Sequence, residues 1–399
     1  MTNHHLSVSR KNLTFLAITL GLFVFVFIAL SSFLSTGAME KAPEKVSLDE
    51  TSQASGAAIS NFSFPSVIIS HKKTPEPVKA IYMSSWIAGS KTAREKMLKK
   101  FEGTQINTIV LDIKDNSGEI VIKLNSPTLA RYQSEEGRVS DIKEFVDELH
   151  SRGYYVIGRI AVFQDNYLTR VRPDLAMRRK DNNEIWRDAK GLAWLDVSQQ
   201  EVWDYTIALA SEAYATGFDE LNFDFVRFPT DGDISQIRYR NYDPSKETRV
   251  EALRKFFIYL HGHIKDIGVP SSADVFGMVT TNDDDLGIGQ VMENVAPYVD
   301  YVAPMLYPFQ YPKGWMGYKK PATVPYKVVK ISLDSGIKKI EALGFSKNKI
   351  RPWLQDFDLG ATYTASMVKA EQQAVYDAGL SSWMMWDSSN KYTPSAYQK

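Results

Sequence analysis

Cysteine is absent from this chain of 399 residues. Disulfide frameworks, thiol nucleophiles and Cys-based zinc sites are therefore excluded. Net charge is absent as well: 47 Lys and Arg balance 47 Asp and Glu, which gives no reason to expect nucleic acid as a partner. Histidine is scarce, with six residues, and His261 and His263 fall on the outward side of a helical pattern. No His-x-Glu or His-Glu-x-x-His run occurs, which argues against a catalytic zinc. No Gly-x-Ser-x-Gly elbow occurs, which argues against serine hydrolysis. Internal repeats are missing too. What remains for chemistry is carboxylate, arginine and a generous supply of aromatics, eight Trp and twenty Tyr among them. No metal or cofactor is expected.

The first 76 residues are of a different kind from the rest. Leu13 to Leu34 is one long apolar run preceded by Arg10 and Lys11. A bilayer needs about 20 such residues. The positive-inside rule then makes residues 1–12 a cytoplasmic tail and 13–34 a transmembrane anchor, with the bulk of the chain outside the cytoplasm. A signal peptide cleaved near Thr36-Gly37-Ala38 is the alternative, and it leads to a secreted protein. Lack of cysteine suits either form of export. Residues 35–76, rich in Ser, Ala, Lys, Glu and Pro, read as a flexible linker. Phe62, Phe64, Val67, Ile68 and Ile69 interrupt it and suit a short strand packed on the domain.

From residue 77 to 399, strand-like and helical patterns alternate. Strands are expected at 78–86, 108–114, 154–162, 220–228, 272–280, 301–307, 350–357 and 382–386. Helices are expected at 91–101, 141–152, 199–216, 246–267, 288–298, 324–343 and 365–378. Asp141–Arg152 shows the helical signal well, with Ile142, Phe145, Val146 and Leu149 on one face. Eight strands and seven helices in this order predict a (β/α)8 TIM barrel. An open doubly wound sheet is the alternative, but the Gly-rich phosphate turn that usually follows its first strand is missing.

The central stretch is Glu220-Leu-Asn-Phe-Asp-Phe-Val-Arg-Phe-Pro229. Leu221, Phe223 and Phe225 alternate with Asn222 and Asp224, so one face is apolar and the other polar. A carboxylate inside such a sheet costs several kcal/mol unless it is paired or used. Arg227 and Asn222 are the expected partners of Asp224, and a purely structural Asp224–Arg227 pair is the bland alternative. Barrel sites form at the C-terminal ends of strands. Those ends offer Trp86, Asp112, Lys114, Asp115, Arg159, Tyr307, Gln355, Trp386 and Asp387 as candidate substrate contacts. Asp112 and Lys114 share a strand face by spacing, so a pair inside the barrel with no catalytic role is their bland alternative. Carboxylate pairs with aromatic platforms suit glycoside hydrolysis. Asp224 is the candidate nucleophile or base. The acid is Asp274 or Asp356, the first in apolar surroundings that raise a carboxyl pKa. A helix cap or salt bridge is the bland role for each. Asp283–Asp285 reads as a solvated loop.

The runs Val110-Leu-Asp-Ile-Lys-Asp-Asn-Ser-Gly118, Gly158-Arg-Ile-Ala-Val-Phe163, Asn222-Phe-Asp-Phe-Val-Arg-Phe-Pro229, Ser272-Ala-Asp-Val-Phe-Gly277, Tyr301-Val-Ala-Pro-Met-Leu-Tyr-Pro308 and Trp383-Met-Met-Trp-Asp-Ser-Ser-Asn390 resemble a bacterial family of glycoside hydrolase-type barrel domains with no assigned substrate. The resemblance spans about Val78 to Tyr392. It is remotely similar to α-amylase-type barrels as well, where the nucleophile is an Asp ending the fourth strand and the acid a Glu on the fifth. That implies a nucleophile role for Asp224, while the fifth strand here offers Asp274 instead of a Glu. The expected activity is hydrolysis of an envelope or extracellular polysaccharide. Its alternative is a barrel that binds glycan without cleaving it, and a deacetylase or lyase is a weaker third.

Overall fold

The computed structural model describes residues 70–123, 126–132 and 135–399. Eight strands form the centre: β1 (Lys79–Met83), β2 (Thr108–Lys114), β3 (Tyr155–Ala161), β4 (Glu220–Asp224), β5 (Ser271–Phe276), β6 (Tyr301–Met305), β7 (Trp353–Gln355) and β8 (Trp383–Trp386). Each pairs in parallel with the next. β8 returns to β1, with Lys79 opposite Trp383, so the eight central strands close into a barrel, and two short strands, Ile120–Ile122 and Glu135–Val139, extend the sheet from β2. Six long helices lie outside it: α1 (Lys91–Phe101), α2 (Ile142–Ser151), α3 (Gln200–Thr216), α4 (Arg249–Ile267), α5 (Pro325–Ala342) and α6 (Ala365–Asp377). This is the (β/α)8 arrangement expected from the alternation.

Two apolar bodies follow from the period-two pattern of the strands. Outward residues such as Leu111, Val156, Leu221, Phe223 and Val275 pack under the helices. Inward residues such as Ala80, Val110, Ile157, Ala303 and Met384 fill the barrel. Leu221 and Phe223 are fully buried on the helix side, which leaves Asn222 and Asp224 for the interior.

The departures from the expected elements have local causes. The helix expected at 288–298 shrinks to Met292–Val295 because Gly287 and Gly289 hold positive φ and Pro297 follows. β5 stops at Phe276 because Gly277 lies against Met305; a Cβ there would stand 2.3 Å from the Met305 carbonyl oxygen. β4 stops at Asp224, not Phe228, because Phe225 turns left-handed at φ +53°.

Two long loops leave the C-terminal ends of β3 and β4. They are tied together by a small antiparallel pair, Arg178–Arg179 with Ile237–Arg238. At the opposite end, residues 71–74 pack under the barrel. His71 Nδ1 lies 3.1 Å from the Phe218 carbonyl oxygen, Lys72 N–H donates to Asp219 Oδ1 at 2.6 Å, and Thr74 Oγ1 meets the Tyr155 hydroxyl at 2.9 Å. The anchor or signal segment 13–34, most of the linker and the short strand expected around Phe62–Ile69 lie outside the described residues. Among the described residues, no helix is long and apolar enough to cross a membrane.

Candidate active site

The polar interior of the barrel is stacked in tiers along β4. At the N-terminal end, Glu220 receives Arg351 Nη1 on both oxygens (2.7 and 2.9 Å), Ser272 Oγ at 2.8 Å and the Tyr155 hydroxyl at 3.2 Å. One inward step further, Asn222 Nδ2 donates to Asp274 Oδ1 at 2.8 Å and to Ser272 Oγ at 3.2 Å. Trp353 Nε1 donates to the same Asp274 oxygen at 2.7 Å. At the C-terminal end, Arg159 clamps Asp224 Oδ2 through Nη2 at 2.5 Å and Nε at 3.1 Å. Its other amino group, Nη1, holds Asp112 Oδ1 at 2.7 Å, and the Tyr82 hydroxyl donates to Asp112 Oδ2 at 2.6 Å. Trp386 closes this tier. It stacks on Tyr82 with centroids 4.0 Å apart and lies 5.1 Å from the Arg159 guanidinium.

The partners of Asp224 differ from those expected. Arg227 follows the left-handed turn at Phe225, which carries it out of line with the strand. It sits 4.8 Å over the Trp194 ring and donates to the Phe228 carbonyl oxygen, so it makes no ion pair with Asp224 among the described residues. Asn222 serves Asp274 instead. Asp224 is held by Arg159 and by the N–H of Phe225, which donates to Oδ1 at 2.6 Å. A bulky residue at positive φ is rare and costs of order 1–3 kcal/mol. Here the turn is what aims that N–H at the carboxylate.

The Asp112–Lys114 pair does not form. A register shift between the two residues breaks the period of two. Lys114 turns to the helix side, 5.3 Å from the Tyr205 ring of α3, and pairs with Asp165 at 2.5 Å. Gly118 allows the next loop to close over that pair, since any Cβ there would overlap the Asp165 carboxyl. Asp356 also faces away from the interior. It accepts from Thr393 N at 2.7 Å, Thr393 Oγ1 at 2.8 Å and the Tyr397 hydroxyl at 2.5 Å, so it ties down the C-terminal segment. Asp387 accepts from Ser389, Lys391 and Tyr392 backbone N–H groups and shapes the turn after β8. Trp86 and Asp115 meet at the rim through Arg138, which lies 3.9 Å over the indole and 3.0 Å from the carboxylate. Trp86 is the most exposed of the large apolar side chains, at 57%.

Asp224 and Asp274 are brought together. The β4–β5 register runs Leu221 to Ser271, Asn222 to Ser272 and Phe223 to Ala273, and the next step sets Asp224 beside Asp274. Paired strands are about 4.8 Å apart. Burial pushes the Asp274 carboxyl well above the usual carboxylate range, and the charge of Asp224 pushes it further. The bonds from Asn222 and Trp353 and the charge of Arg159 pull the other way and do not overcome this. Burial also raises Asp112 against the pull of Arg159, and raises Tyr307, with the charges of Asp274 and Asp224 adding to it. Burial acts to strip Arg159 of its proton, but Asp224 and Asp112 keep it firmly charged. The tier therefore holds a clamped carboxylate next to a carboxyl driven towards its neutral form.

Four buried polar atoms around this tier lack a hydrogen-bond partner among the described residues: Asn222 Oδ1, Gln355 Oε1, Gln310 Oε1 and Trp386 Nε1. They come from β4, β7, the loop after β6, and β8. An orphaned buried donor or acceptor costs about 1–3 kcal/mol, and Arg351 Nε in the N-terminal tier is orphaned as well.

Tyr82 and Trp353 escaped the sequence reading, which took only the last residues of each strand. The signal was present: counting back in twos from Ser84 and Gln355 reaches both.

A comparison with curated proteins gives no match. Among solved structures, the chain is similar to the glycoside hydrolase domain of PgaB (BpsB) from Bordetella bronchiseptica. The TM-score is 0.58 at 11% identity, over 79% of this chain and 95% of that one. It is similar to the cycloalternan-degrading enzyme from Trueperella pyogenes at a TM-score of 0.50 and 11% identity, over 79% of this chain and 44% of that one. A hypothetical protein from Ruminiclostridium thermocellum is 30% identical over 49% of this chain and 97% of that one, with a TM-score of 0.44. At 11% identity the first two likenesses are likenesses of fold. The family model described as "Putative glycosyl hydrolase domain" matches residues 80–392, and the chain belongs to that family.

Proposed function

We propose that this protein hydrolyses glycosidic bonds of an extracytoplasmic polysaccharide, with Asp224 as nucleophile and Asp274 as general acid. The observation that carries the reading is the placing of these two carboxyls on adjacent strands, Asp224 clamped by Arg159 and Asp274 driven towards its neutral form by burial and by the charge of Asp224. Arg159 and the Phe225 N–H fix the position of the Asp224 carboxylate for attack. Asp274 is kept towards its protonated form, as a group that must deliver a proton to the leaving oxygen should be. Once it has done so, the same group takes a proton from the water that releases the glycosyl enzyme. Asp112, Tyr82 and Arg159 hold the clamp in place. Trp386, Gln355, Gln310 and Asn222 supply an aromatic face and unpaired polar atoms for sugar hydroxyls. The apolar run 13–34 would carry the barrel out of the cytoplasm, as an anchor or as a cleaved signal.

The test is release of reducing ends from a panel of cell-envelope and exopolysaccharide fragments, with the first-formed anomer followed by NMR. Turnover that vanishes in Asp224→Asn and gives the retained anomer supports the assignment. Unchanged turnover in that variant overturns it. A second reading, glycan capture without cleavage, draws on the depth of Asp274, which is 2% exposed with one oxygen already taking two hydrogen bonds. It requires saturable glycan binding with no reducing ends released.

A further inference from the structure

A pocket of about 400 Å³ lies away from the carboxylates, among the loops that follow β3 and β4. Its walls include Arg178, Arg238 and Arg240, with Asn183, Gln199 and Asp196 between them. Nearby arginines are neutralised: Arg172 pairs with Asp174 and Glu201, and Arg179 with Asp181. Arg178, Arg238 and Arg240 form no ion pair among the described residues. The carboxylates of the pocket are already engaged, Asp174 by Arg172 at 2.5 Å and Asp196 by the N–H and hydroxyl of Ser198 and the N–H of Arg240. Arg178 and Arg238 stand directly opposite each other across the antiparallel pair that joins the two loops. Like charges in that position repel. Both guanidiniums reach only Asn183, through its carbonyl oxygen and its side-chain oxygen. The hydrogen bonds to Asn183 bring no negative charge against this repulsion.

We propose that the pocket is an oxyanion site, which takes a carboxylate, sulfate or phosphate substituent of the glycan. Guanidinium forks match the planar or tetrahedral oxygens of these groups and hold them by paired charge-assisted hydrogen bonds. The loops that form the pocket spring from the strands that carry Arg159 and Asp224, which puts the pocket and the carboxylates at the same end of the barrel. The anion site stands on its own geometry; only its use for a glycan substituent rests on the proposed hydrolytic function.

Binding of the full chain is measured by titration calorimetry with inorganic sulfate, with inorganic phosphate, and with an oligogalacturonate against a neutral oligosaccharide of equal length. Saturable binding of at least one inorganic anion is expected, weakened about tenfold or more in the double variant R238Q/R240Q and in R178Q, and unchanged in D224N. The charged oligosaccharide should bind tighter than the neutral one, with the difference lost in R238Q/R240Q. No saturable anion binding, or anion binding indifferent to these arginine variants, overturns the site. Anion binding without preference for the charged oligosaccharide overturns its use in holding glycan. An inactive wild type that still binds anion through these arginines upholds the site and sinks the hydrolytic reading instead.

Discussion

Glu220 and Asp224 lie four residues apart on one strand, point into the same barrel, and each meets an arginine, yet their surroundings are built to opposite ends. Glu220 is fully buried, and both of its oxygens are occupied by Arg351, Ser272 and Tyr155. The carboxylate is fully engaged, and in its tier only Arg351 Nε lacks a hydrogen-bond partner among the described residues. Asp224 keeps an opening to solvent, and unpaired atoms of Asn222, Gln355, Gln310 and Trp386 surround its tier. The difference shows how one strand divides labour along its length. Its N-terminal end carries a buried ion pair inside the barrel, and its C-terminal end leaves hydrogen bonds unmade, which the proposed substrate would complete.

The sharpest way to break this contrast is at Asp224. Asp224→Asn should lower turnover by about 10³–10⁴-fold while the thermal melt stays near that of the wild type, measured by reducing-end release and calorimetry on the same preparation. The mirror experiment is Glu220→Gln, which strands the Arg351 charge in the barrel. A loss of about 3–5 kcal/mol in urea unfolding is expected, with the remaining folded molecules still active. Removing both charges with Glu220→Leu and Arg351→Met should restore much of that stability; failure to recover would mean the lower tier does more than brace the fold.

Asp274→Asn tests the neighbour of Asp224, with an expected fall in turnover of about 10²–10³-fold. The pH dependence has a definite sign. The folded pKa of Asp274 is raised above its unfolded value, so its contribution to stability is complete below the ordinary carboxylate range. That contribution is lost as pH climbs through the folded pKa. The rate of the wild type should decline over the same alkaline climb, because the proton donor is being consumed. Asp274→Asn should flatten the stability profile there; an unchanged slope would assign it to another group. The smallest effect belongs to the rim. Trp86→Ala should reduce kcat/KM by less than about tenfold and leave unfolding within about 0.5 kcal/mol, since its ring is mostly exposed and meets Arg138.

The barrel was legible in the sequence because its outer face announces itself. Leu221 and Phe223, or Ile142, Phe145, Val146 and Leu149, repeat with the periods that strands and helices impose. That the strand of Asp274 lies next to the strand of Asp224 followed from strand order, while the choice between Asp274 and Asp356 stayed open. What escaped was anything that depends on a single backbone irregularity. The shift after Asp112 sent Lys114 to Asp165, and the left-handed Phe225 sent Arg227 to Trp194. Neither leaves a mark in the alternation of residue types. Arg159 was visible as a candidate contact, but its role as the clamp joining Asp112 to Asp224 depends on three strands meeting at one height. Asp356 shows the converse: a carboxylate at the right strand end, turned outwards by parity and taken up by Thr393 and Tyr397.

The contacts of His71, Lys72 and Thr74 with Phe218, Asp219 and Tyr155 have a bearing on reach. They bring the chain in at the floor of the barrel, on the far side from Asp224. Any attachment made through the residues before His71 would therefore meet the barrel at its floor, and would leave the mouth with its two long loops at the opposite end.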